Sequence, residues 1–350
     1  MAEARTLTEQ ELNRALLARQ MLLERSGASI PKLLERMGTL QAQYAPSMYI
    51  GIWSRLEGFE REQLDRALER RSVAQGTLMR ATIHLVSKAD YWPIAIGVRR
   101  GRREAWTSAS YRKDYSAGQL SAAAKKLRGR LGEGTMGRKE IHELLGSDSV
   151  VTNGVNIWLD LVRVPPSGTW ERRRADLYAA ADHWLGKPPK KIDERAGIEL
   201  LVRRYLTGFG PAPVADIANW SGLQPKRVKP VTDSMKLRSF ESESGETLLD
   251  LPRVPLPDPE TPAPARFLGT WDAMLLTHCR RTGVLPEEHR PKVFNTRTPQ
   301  SVPTFLVNGR VAGTWSYEKG KVKTRPFGRL DASAKRELAA EAERLAELHA

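Results

Sequence analysis

The sequence predicts an α+β protein built from tandem winged-helix modules, followed by a C-terminal β-rich domain. Three observations predict this class. Helical stretches within residues 1–115 lead into two β-rich pieces, which is the element order of a winged helix. Residues 211–238 have the pattern of a helix, a glycine-containing turn and a second helix. Further on, alternating apolar residues flank an Asn-Gly pair, the strongest short signal for a β-hairpin.

Residues 1–115 form the first predicted module. Thr8 precedes an amphipathic stretch and Glu11 stands three residues later, which is the pattern of a capping box. Ser29 is placed to cap a second helix over residues 30–43, and helical stretches follow at 48–56 and 61–71. Residues 73–80 and 81–86 are rich in β-formers and supply the wing. A generic α+β unit is the alternative to a winged helix here.

Two more modules are predicted, over residues 116–187 and 188–251. The first contains a helix at 120–131 with a basic face, a short helix ending near Leu145, and a strand or buried helix at 155–164. The second opens after a Pro-Pro pair and contains the helix-turn-helix pattern, with Gly222 in its turn. Pro230 is expected to kink the second helix of that pattern, and residues 245–251 supply a wing strand.

Residues 252–350 form the predicted C-terminal domain. Six of the 22 prolines fall between Pro252 and Pro264, which predicts a stiff linker or a domain-crossing segment. The hairpin that follows turns at Asn308-Gly309. Asp331 is placed to cap a terminal helix, whose Ala/Leu stripe is expected to pack against the preceding sheet.

Composition and net charge limit the classes of partner and cofactor that the protein can be expected to bind. The 350 residues include 56 Lys and Arg against 41 Asp and Glu, a net charge of +15, which favours nucleic acid over an anionic membrane as the partner. The single cysteine, Cys279, excludes an internal disulfide framework and any multi-cysteine zinc site. The histidines are scattered and no Walker A loop is present, so neither a metal nor a cofactor is expected. Without a secretory signal or a long apolar stretch, we expect a cytoplasmic, nucleoid-associated protein with no membrane partner.

Basic side chains concentrate in runs that suit phosphate contact. A dense segment in the first module extends to Arg112 and Lys113, and the second helix of the helix-turn-helix pattern carries another cluster. A solvated surface is the alternative for both. The residues predicted to bind DNA in these two runs are Arg99, Arg100, Arg102, Arg103, Lys226, Arg227 and Lys229.

The segment from Gln41 to Pro46 is the most unusual local sequence. Glutamines two residues apart on a regular helix point about 200° apart and cannot share a site. Pro46, however, disfavours helical geometry at Ala45, so the helix is expected to end here and leave Gln41 and Gln43 free to face the same way. The alternative is a pair of surface glutamines at a helix end.

Seven blocks in the same order make the chain similar to the AlkZ-like and YcaQ-like DNA glycosylases, which are bacterial winged-helix proteins. The blocks are LNRALLARQ, LQAQYAPSMYIGIWSRL, TLMRATIHLV, VRVPPSGTWERRRADLY, RYLTGFGPAPVADIANWSGL, FLGTWDAMLLTHCRR and LVNGRVAGTW. The resemblance implies tandem winged helices and a β-rich domain around a basic, C-shaped cleft. It also implies that a monomer excises N7-alkylated guanine from double-stranded DNA, including bulky adducts and interstrand crosslinks, and so gives self-resistance to an alkylating agent.

The resemblance places Gln41 and Gln43 at the catalytic Gln-x-Gln motif of the AlkZ-like branch, where the YcaQ-like branch has Gln-x-Asp. An N7-alkylated guanine already carries positive charge and leaves without further protonation. The enzyme then has to place a water and stabilise the charge that develops on the sugar, which amide groups can do. We expect Gln43 to position the water and Gln41 to support the water and the deoxyribose. No lysine is marked as a nucleophile, so hydrolysis without strand cleavage is expected.

The resemblance also implies a DNA-probing role for the Asn308-Gly309 hairpin, with Asn308 and Arg310 as its contacts. Arg80 and His84 alternate along a predicted strand and are expected to contact DNA near Gln41, although a core histidine is an equal alternative for His84. Tyr44 is expected to pack in the core or in the site wall rather than to stack on bases.

Two other functions fit the same features. A winged-helix transcription regulator would bind as a dimer at specific sequences and release no base, and it does not require the Gln-x-Gln motif. A non-catalytic resistance protein would bind adducts tightly without turnover.

Overall fold

The computed structural model describes residues 5–109, 114–174, 176–276, 282–294 and 301–350. It has the mixed α+β architecture that the sequence predicts. No helix in the described ranges is both long and apolar enough to cross a lipid bilayer. The strands of the described residues form three sheets, one of which joins the start of the chain to a later hairpin.

The first part of the chain begins with the predicted capping box, in which the Thr8 side chain accepts from the Glu11 N–H and Glu11 accepts from the Thr8 N–H. The helix predicted over residues 30–43 is wrong beyond Met37, because Gly38 adopts a left-handed conformation (φ 77°) that ends the helix. The elements are β1 (Thr6–Leu7), α1 (Glu9–Arg19), α2 (Ile30–Met37), β2 (Leu40–Gln41), α3 (Ala45–Trp53), α4 (Arg61–Glu69), β3 (Val73–Thr77) and β4 (Ile83–Ser87).

A long helix that the sequence pattern did not reveal, α5 (Lys88–Thr107), follows the first hairpin and carries the basic run at 99–103. Ser87 caps it by accepting from the Asp90 N–H. Pro93 lies inside α5, and a proline at that point argues against a helix when only the sequence is read. The helix continues the first module, and α10, described below, packs along it.

The second part of the chain confirms the helix at 120–131 and divides the ambiguous stretch at 155–164 between a helix and a strand. Its strands join β2, β3 and β4 in one six-stranded sheet with the order β2-β4-β3-β6-β7-β5, so that β2 is an edge strand. The elements are α6 (Ala117–Leu131), β5 (Thr135–Gly137), α7 (Arg138–Leu144), α8 (Ser149–Trp158), β6 (Leu161–Arg163), β7 (Leu177–Ala180) and α9 (Ala181–Trp184).

The third part confirms the helix-turn-helix pattern. Gly222 ends the first of the two helices in a left-handed conformation (φ 73°), and Pro230 lies inside the second helix, which continues to Ser234. Strand β1 pairs with β8 in parallel, so the start of the chain completes a three-stranded wing. The elements are α10 (Glu194–Phe209), α11 (Val214–Ser221), α12 (Pro225–Ser234), β8 (Arg238–Ser242) and β9 (Thr247–Asp250).

The C-terminal part is a four-stranded sheet covered by the last helix. Residues 252–264, which the structure describes throughout, form no helix or strand. The hairpin turns at Asn308-Gly309 as predicted, Asp331 caps the terminal helix, and that helix packs against the sheet. The elements are β10 (Arg266–Leu268), α13 (Ala273–Leu276), α14 (Arg290–Val293), β11 (Thr304–Val307), β12 (Arg310–Glu318), β13 (Lys321–Pro326) and α15 (Ala332–His349).

Buried ion pairs fasten the first part of the chain to the later parts. Arg19 in α1 donates to Asp250 at the end of β9, with Nη1 and Oδ1 2.7 Å apart. Arg55, after α3, donates to Asp272 in the C-terminal part, with Nη2 and Oδ1 2.8 Å apart. Breaking one partner of such a pair leaves a buried charge uncompensated. Both pairs therefore hold the first part of the chain against the later parts.

Candidate functional site

The two motif glutamines lie at the exposed edge of the six-stranded sheet. Gln41 is in β2, opposite His84 of β4, and the Ala42 N–H continues the ladder by donating to the Ile83 carbonyl at 2.7 Å. Side chains two residues apart on an extended segment point to the same side. Accordingly, Ala42 is buried, whereas Gln41 is partly exposed and Gln43 is exposed. Gln41 thus lies on an extended edge rather than on an unwinding helix, and Gln43 follows in a bend just outside β2.

Each glutamine amide is oriented by a donor of the protein. Gln41 Oε1 accepts from Arg80 Nη2 at 3.0 Å, and Gln43 Oε1 accepts from the Ile83 N–H at 3.2 Å. A guanidinium and a main-chain N–H can only donate, so both amide oxygens face the protein. Each oxygen keeps a second lone pair, and each NH₂ group lies at the other end of its amide.

The sequence pattern suggested that Arg80 lies on a strand. In the structure it does not, because β4 begins only at Ile83. It is in the turn between β3 and β4, in a left-handed conformation (φ 51°). Its guanidinium donates to the Trp220 carbonyl as well as to Gln41. Among the residues that the structure describes, no carboxylate pairs with it, and burial lowers the pKa of Arg80 to about 10.

His84 is a buried histidine and not a surface contact. The residue is only 1% exposed, which leaves no surface for DNA in this conformation. Nδ1 lies 3.0 Å from the Thr82 carbonyl oxygen, and because a carbonyl only accepts, Nδ1 carries the proton and Nε2 presents a lone pair towards Arg80. Burial, together with the charge of Arg80, lowers the pKa of His84 to about 3. The imidazole is therefore neutral near pH 7.

A small cleft beside Gln41 is formed by residues from three parts of the chain. The turn of the helix-turn-helix closes it from one side, since a Cβ at Gly222 would lie only 2.8 Å from the Arg80 backbone nitrogen. The close approach requires a glycine at this turn. The residues that line the cleft are Thr39, Gln41, Arg80, His84, Trp220, Trp271, Ala273 and Leu276.

An arginine-rich loop between β6 and β7 lies next to the other glutamine, and the sequence pattern did not assign it to the site. Arg173 Nη1 donates to the Tyr44 hydroxyl at 3.2 Å, which places the loop beside the residue after Gln43. Arg172 and Arg174 are exposed on the same loop. Tyr44 itself is 39% exposed, so it does not pack in the core, and the site wall remains as the expected position. Three consecutive arginines in a predicted turn were the signal that could have found this surface.

The basic run on α5 divides between the surface and the interior. Successive helical residues point about 100° apart, so a run of charges cannot all face one partner. Arg100 is 66% exposed, whereas Arg99 pairs with Asp160 at 2.7 Å. Arg102 is 4% exposed and donates to Asp160 and to the Thr77 carbonyl, so its predicted phosphate contact is not available in this conformation.

Arg103, the last residue of that run, donates to the carbonyls of Ile157 and Trp158. Arg112 and Lys113, which the sequence adds to the run, lie outside the described residues, as does Cys279. Among the described residues of the run, Arg100 is the most exposed cation, and it pairs with Glu104 at 3.0 Å.

The helix-turn-helix cations also divide in two. Lys226 is exposed, and Lys229 is exposed while pairing with Asp233 at 2.9 Å. Arg227 instead bridges α12 to α5 and α10 through Glu104 and Glu194, at 2.6 and 3.0 Å. Lys226 and Lys229 remain placed for phosphate contact, and Arg227 holds the helices together.

The Asn308-Gly309 turn is packed against α1, although Asn308 itself is exposed, so its DNA contact stays a prediction. Asn308 Oδ1 accepts from Arg14 Nη2 at 2.7 Å, and the Gly309 carbonyl accepts from Asn13 Nδ2 at 2.9 Å. A local turn signal carries no information on such a tertiary contact. Arg310 is 47% exposed, 3.9 Å from Glu9, and its DNA contact stays a prediction.

The next turn, between β12 and β13, is exposed at Lys319 and Lys321. In the described part of the chain, no group of three or more His, Cys, Asp or Glu side chains is arranged to hold a metal ion.

Comparisons with known proteins agree with this architecture. A family model described as DNA glycosylase AlkZ-like matches residues 34–348. The structure is similar to that of Streptomyces sahachiroi DNA glycosylase AlkZ, with a TM-score of 0.82 and 19% sequence identity over 98% of this chain and 97% of that chain. At this identity the structural likeness shows the fold. No curated protein sequence matches the chain.

Proposed function

The chain belongs to the AlkZ-like DNA glycosylase family, whose members are hydrolases of N-glycosidic bonds, and from this premise we propose that it excises N7-alkylated guanine from duplex DNA. The proposed substrates include bulky N7 adducts and interstrand crosslinks, and the proposed role is self-resistance to an alkylating agent. The protein acts as a monomer at the nucleoid and needs no cofactor.

The observation that carries this proposal is the chemistry of the residues that line the cleft. Among those described, none has a carboxyl group, and the one histidine, His84, is neutral with a pKa of about 3. Such a site offers no general acid near neutral pH. It therefore suits a leaving group that needs no protonation, and an N7-alkylated guanine, which is already cationic, is such a group.

The reaction is a substitution of the base by water. The water oxygen forms a bond to C1′ of the deoxyribose while the C1′–N9 bond breaks, and the electron pair of that bond neutralises the cationic purine. The water keeps one proton in the new hydroxyl group and gives the other to solvent. Gln43 supplies the negative end of its amide dipole beside the cationic sugar, and both glutamines supply hydrogen bonds to the water.

In this proposal the DNA duplex binds across cations that are exposed in the structure. The arginine loop beside Tyr44 contacts phosphates near the lesion, and Lys226 and Lys229 contact the backbone at the helix-turn-helix. Arg100 and Arg310 add further charge. Arg80 and His84 act inside the protein, at Gln41.

The test is an excision assay on duplexes that carry 7-methylguanine, a bulky N7 monoadduct or an N7–N7 crosslink, with alkali-induced breaks reporting abasic sites. We expect Gln41→Ala and Gln43→Ala to lower the single-turnover rate about 100-fold, a loss typical of removing one charge-stabilising group, with little change in DNA affinity. Gln63→Ala, a glutamine of α4 outside the motif, is the matched control and should excise at the wild-type rate.

Absence of abasic product from all three duplexes would refute the substrate assignment. Tight binding of an adduct without base release would favour the non-catalytic resistance protein, and a sequence-specific footprint on undamaged DNA would favour the regulator.

A further inference from the structure

The Gln41 amide has a fixed orientation, and the group that orients it belongs to the turn between β3 and β4 rather than to β2. We propose that Arg80 is a positioning residue that turns the Gln41 oxygen towards the protein and leaves the NH₂ group as the working end, so that Gln41 acts as a hydrogen-bond donor. The inference rests on the proposed function, because it assigns a role to a residue of that site. It changes the expected role of Arg80, from a DNA contact to a support for Gln41.

Arg80 is itself held in place by its backbone and by its partners. Its left-handed turn packs against Gly222, whose missing side chain allows the 2.8 Å approach to the Arg80 backbone. Its guanidinium donates to the Trp220 carbonyl on one side and to Gln41 Oε1, at 3.0 Å, on the other. The Trp220 carbonyl belongs to the main chain, so it fixes the planar guanidinium independently of the Gln41 side chain. The Gln41 oxygen therefore meets a donor whose position does not depend on DNA.

The charge of Arg80 favours the orientation of the amide in which Oε1, and not the NH₂ group, faces the guanidinium. In the described residues Arg80 has no carboxylate partner, and its third neighbour, His84 Nε2 at 3.5 Å, is a neutral acceptor. If the amide rotated by 180°, its NH₂ group would face a cation and the charge-assisted hydrogen bond would be lost. A hydrogen bond to a charged group corresponds to a preference of roughly 10- to 100-fold for the observed direction.

The working end of Gln41 is then its Nε2, for which no acceptor is found within the described part of the protein. An N–H donated to the attacking water occupies one lone pair of the water oxygen and leaves the other for C1′. Gln43 is different, because its oxygen accepts, among the described residues, only from the main-chain N–H of Ile83, and it lies at the exposed end of the motif. Its second lone pair can accept a hydrogen of the same water.

A set of variants tests the assignment by single-turnover excision of 7-methylguanine. We expect Arg80→Met to lower the rate about 10- to 100-fold, the value of a lost charge-assisted hydrogen bond, and Arg80→Lys to recover part of it. In a Gln41→Ala background, Arg80→Met should change the rate less than about twofold, because it acts only through Gln41. Gln41→Glu, which can still accept from Arg80 but has no N–H, should be as slow as Gln41→Ala.

Arg204→Met is the control for general loss of stability, since Arg204 is a partly buried arginine that pairs with Asp90 away from the cleft. Its thermal midpoint should fall while the rate of the folded protein stays at the wild-type value. Additive losses in the Arg80→Met/Gln41→Ala double variant, or wild-type rates in Gln41→Glu, would overturn the inference.

A second measurement is independent of activity. With ¹⁵N-glutamine labelling, the Gln41 NH₂ resonances are identified by their loss in Gln41→Glu. They should move and sharpen in Arg80→Met if Arg80 holds the amide, and should stay unchanged if it does not. If wild-type protein excised none of the three lesions, the proposed function would fail, and the NMR result would still decide whether Arg80 orients Gln41.

Discussion

Gly222→Ala is the substitution that best tests whether the helix-turn-helix supports the site. Gly222 ends α11 with φ 73°, and a Cβ placed there would lie 2.8 Å from the Arg80 nitrogen and 3.0 Å from its Cα. The atoms in contact are backbone atoms, which cannot rotate away as a flexible side chain would. An alanine must therefore displace the turn that holds Arg80, and with it the donor to Gln41.

The expected loss of stability has two parts. A non-glycine residue in the left-handed region costs about 1–2 kcal/mol. Overpacking against a rigid neighbour adds about 1–3 kcal/mol. Gly245 separates the two parts, because it has nearly the same φ of 78° but no atom within 4 Å of the point that a Cβ would occupy. Gly245→Ala should therefore show only the conformational cost, and the difference between the two variants measures the contact with Arg80.

The assay combines urea unfolding with single-turnover excision at saturating protein, so that a weaker DNA affinity does not lower the measured rate. We expect Gly222→Ala to be the less stable variant and to lose about tenfold in rate, as a shifted Arg80 would cause. Gly245→Ala should excise at the wild-type rate. Equal stability losses and equal rates in the two alanine variants would refute the reasoning, because they would show that the turn does not press on Arg80.

Three further predictions concern the rest of the site. Tyr44→Ala should lower excision of a bulky adduct by about 5- to 100-fold, the range for a lost base–aromatic stack, while Tyr44→Phe keeps most of the rate. Replacing the arginines at 172–174 by alanine should reduce the slope of log affinity against log salt by about 0.9 for each phosphate that is no longer neutralised, with Arg310→Ala as a single-charge comparison. Because the pKa of His84 falls to about 3 on folding, the unfolded chain binds the extra proton, so the unfolding free energy should decrease below about pH 6.5 with a limiting slope of about 1.4 kcal/mol per pH unit. His84→Gln should remove that part of the slope in urea unfolding between about pH 7 and about pH 5.

Elements with a local cause could be predicted from the sequence. The capping box at Thr8 and Glu11, the Asn308-Gly309 turn and the glycine of the helix-turn-helix all depend on residues within a few positions of one another. In each, hydrogen bonds or dihedral preferences between near neighbours decide the conformation. The structure confirms these elements because nothing distant in the chain competes with them.

Features with a tertiary cause could not be predicted. The apolar pattern of α2 continues past Gly38, and only the pairing of β2 with β4 shows that Gln41 lies on a strand. The docking of the Asn308 turn on α1 depends on Arg14, almost three hundred positions away in the chain. Likewise, a basic run does not show that Arg102 faces Asp160 inside the protein. Each error has the same origin, a partner that is close in space and distant in sequence.

The different surroundings of the two glutamines give a reason why they are not equivalent. The resemblance to the YcaQ-like branch implies that an aspartate can stand at the position of Gln43. A carboxylate there would still accept from the neutral Ile83 N–H, at an exposed position where its charge stays hydrated. A carboxylate at the position of Gln41 would form an ion pair with the buried Arg80 and remove both N–H donors of the amide. The proposed donor role of Gln41 therefore requires an amide at the first position of the motif, whereas an acid is compatible with the second. Gln43→Asp and Gln41→Glu, compared in one excision assay, would test this difference.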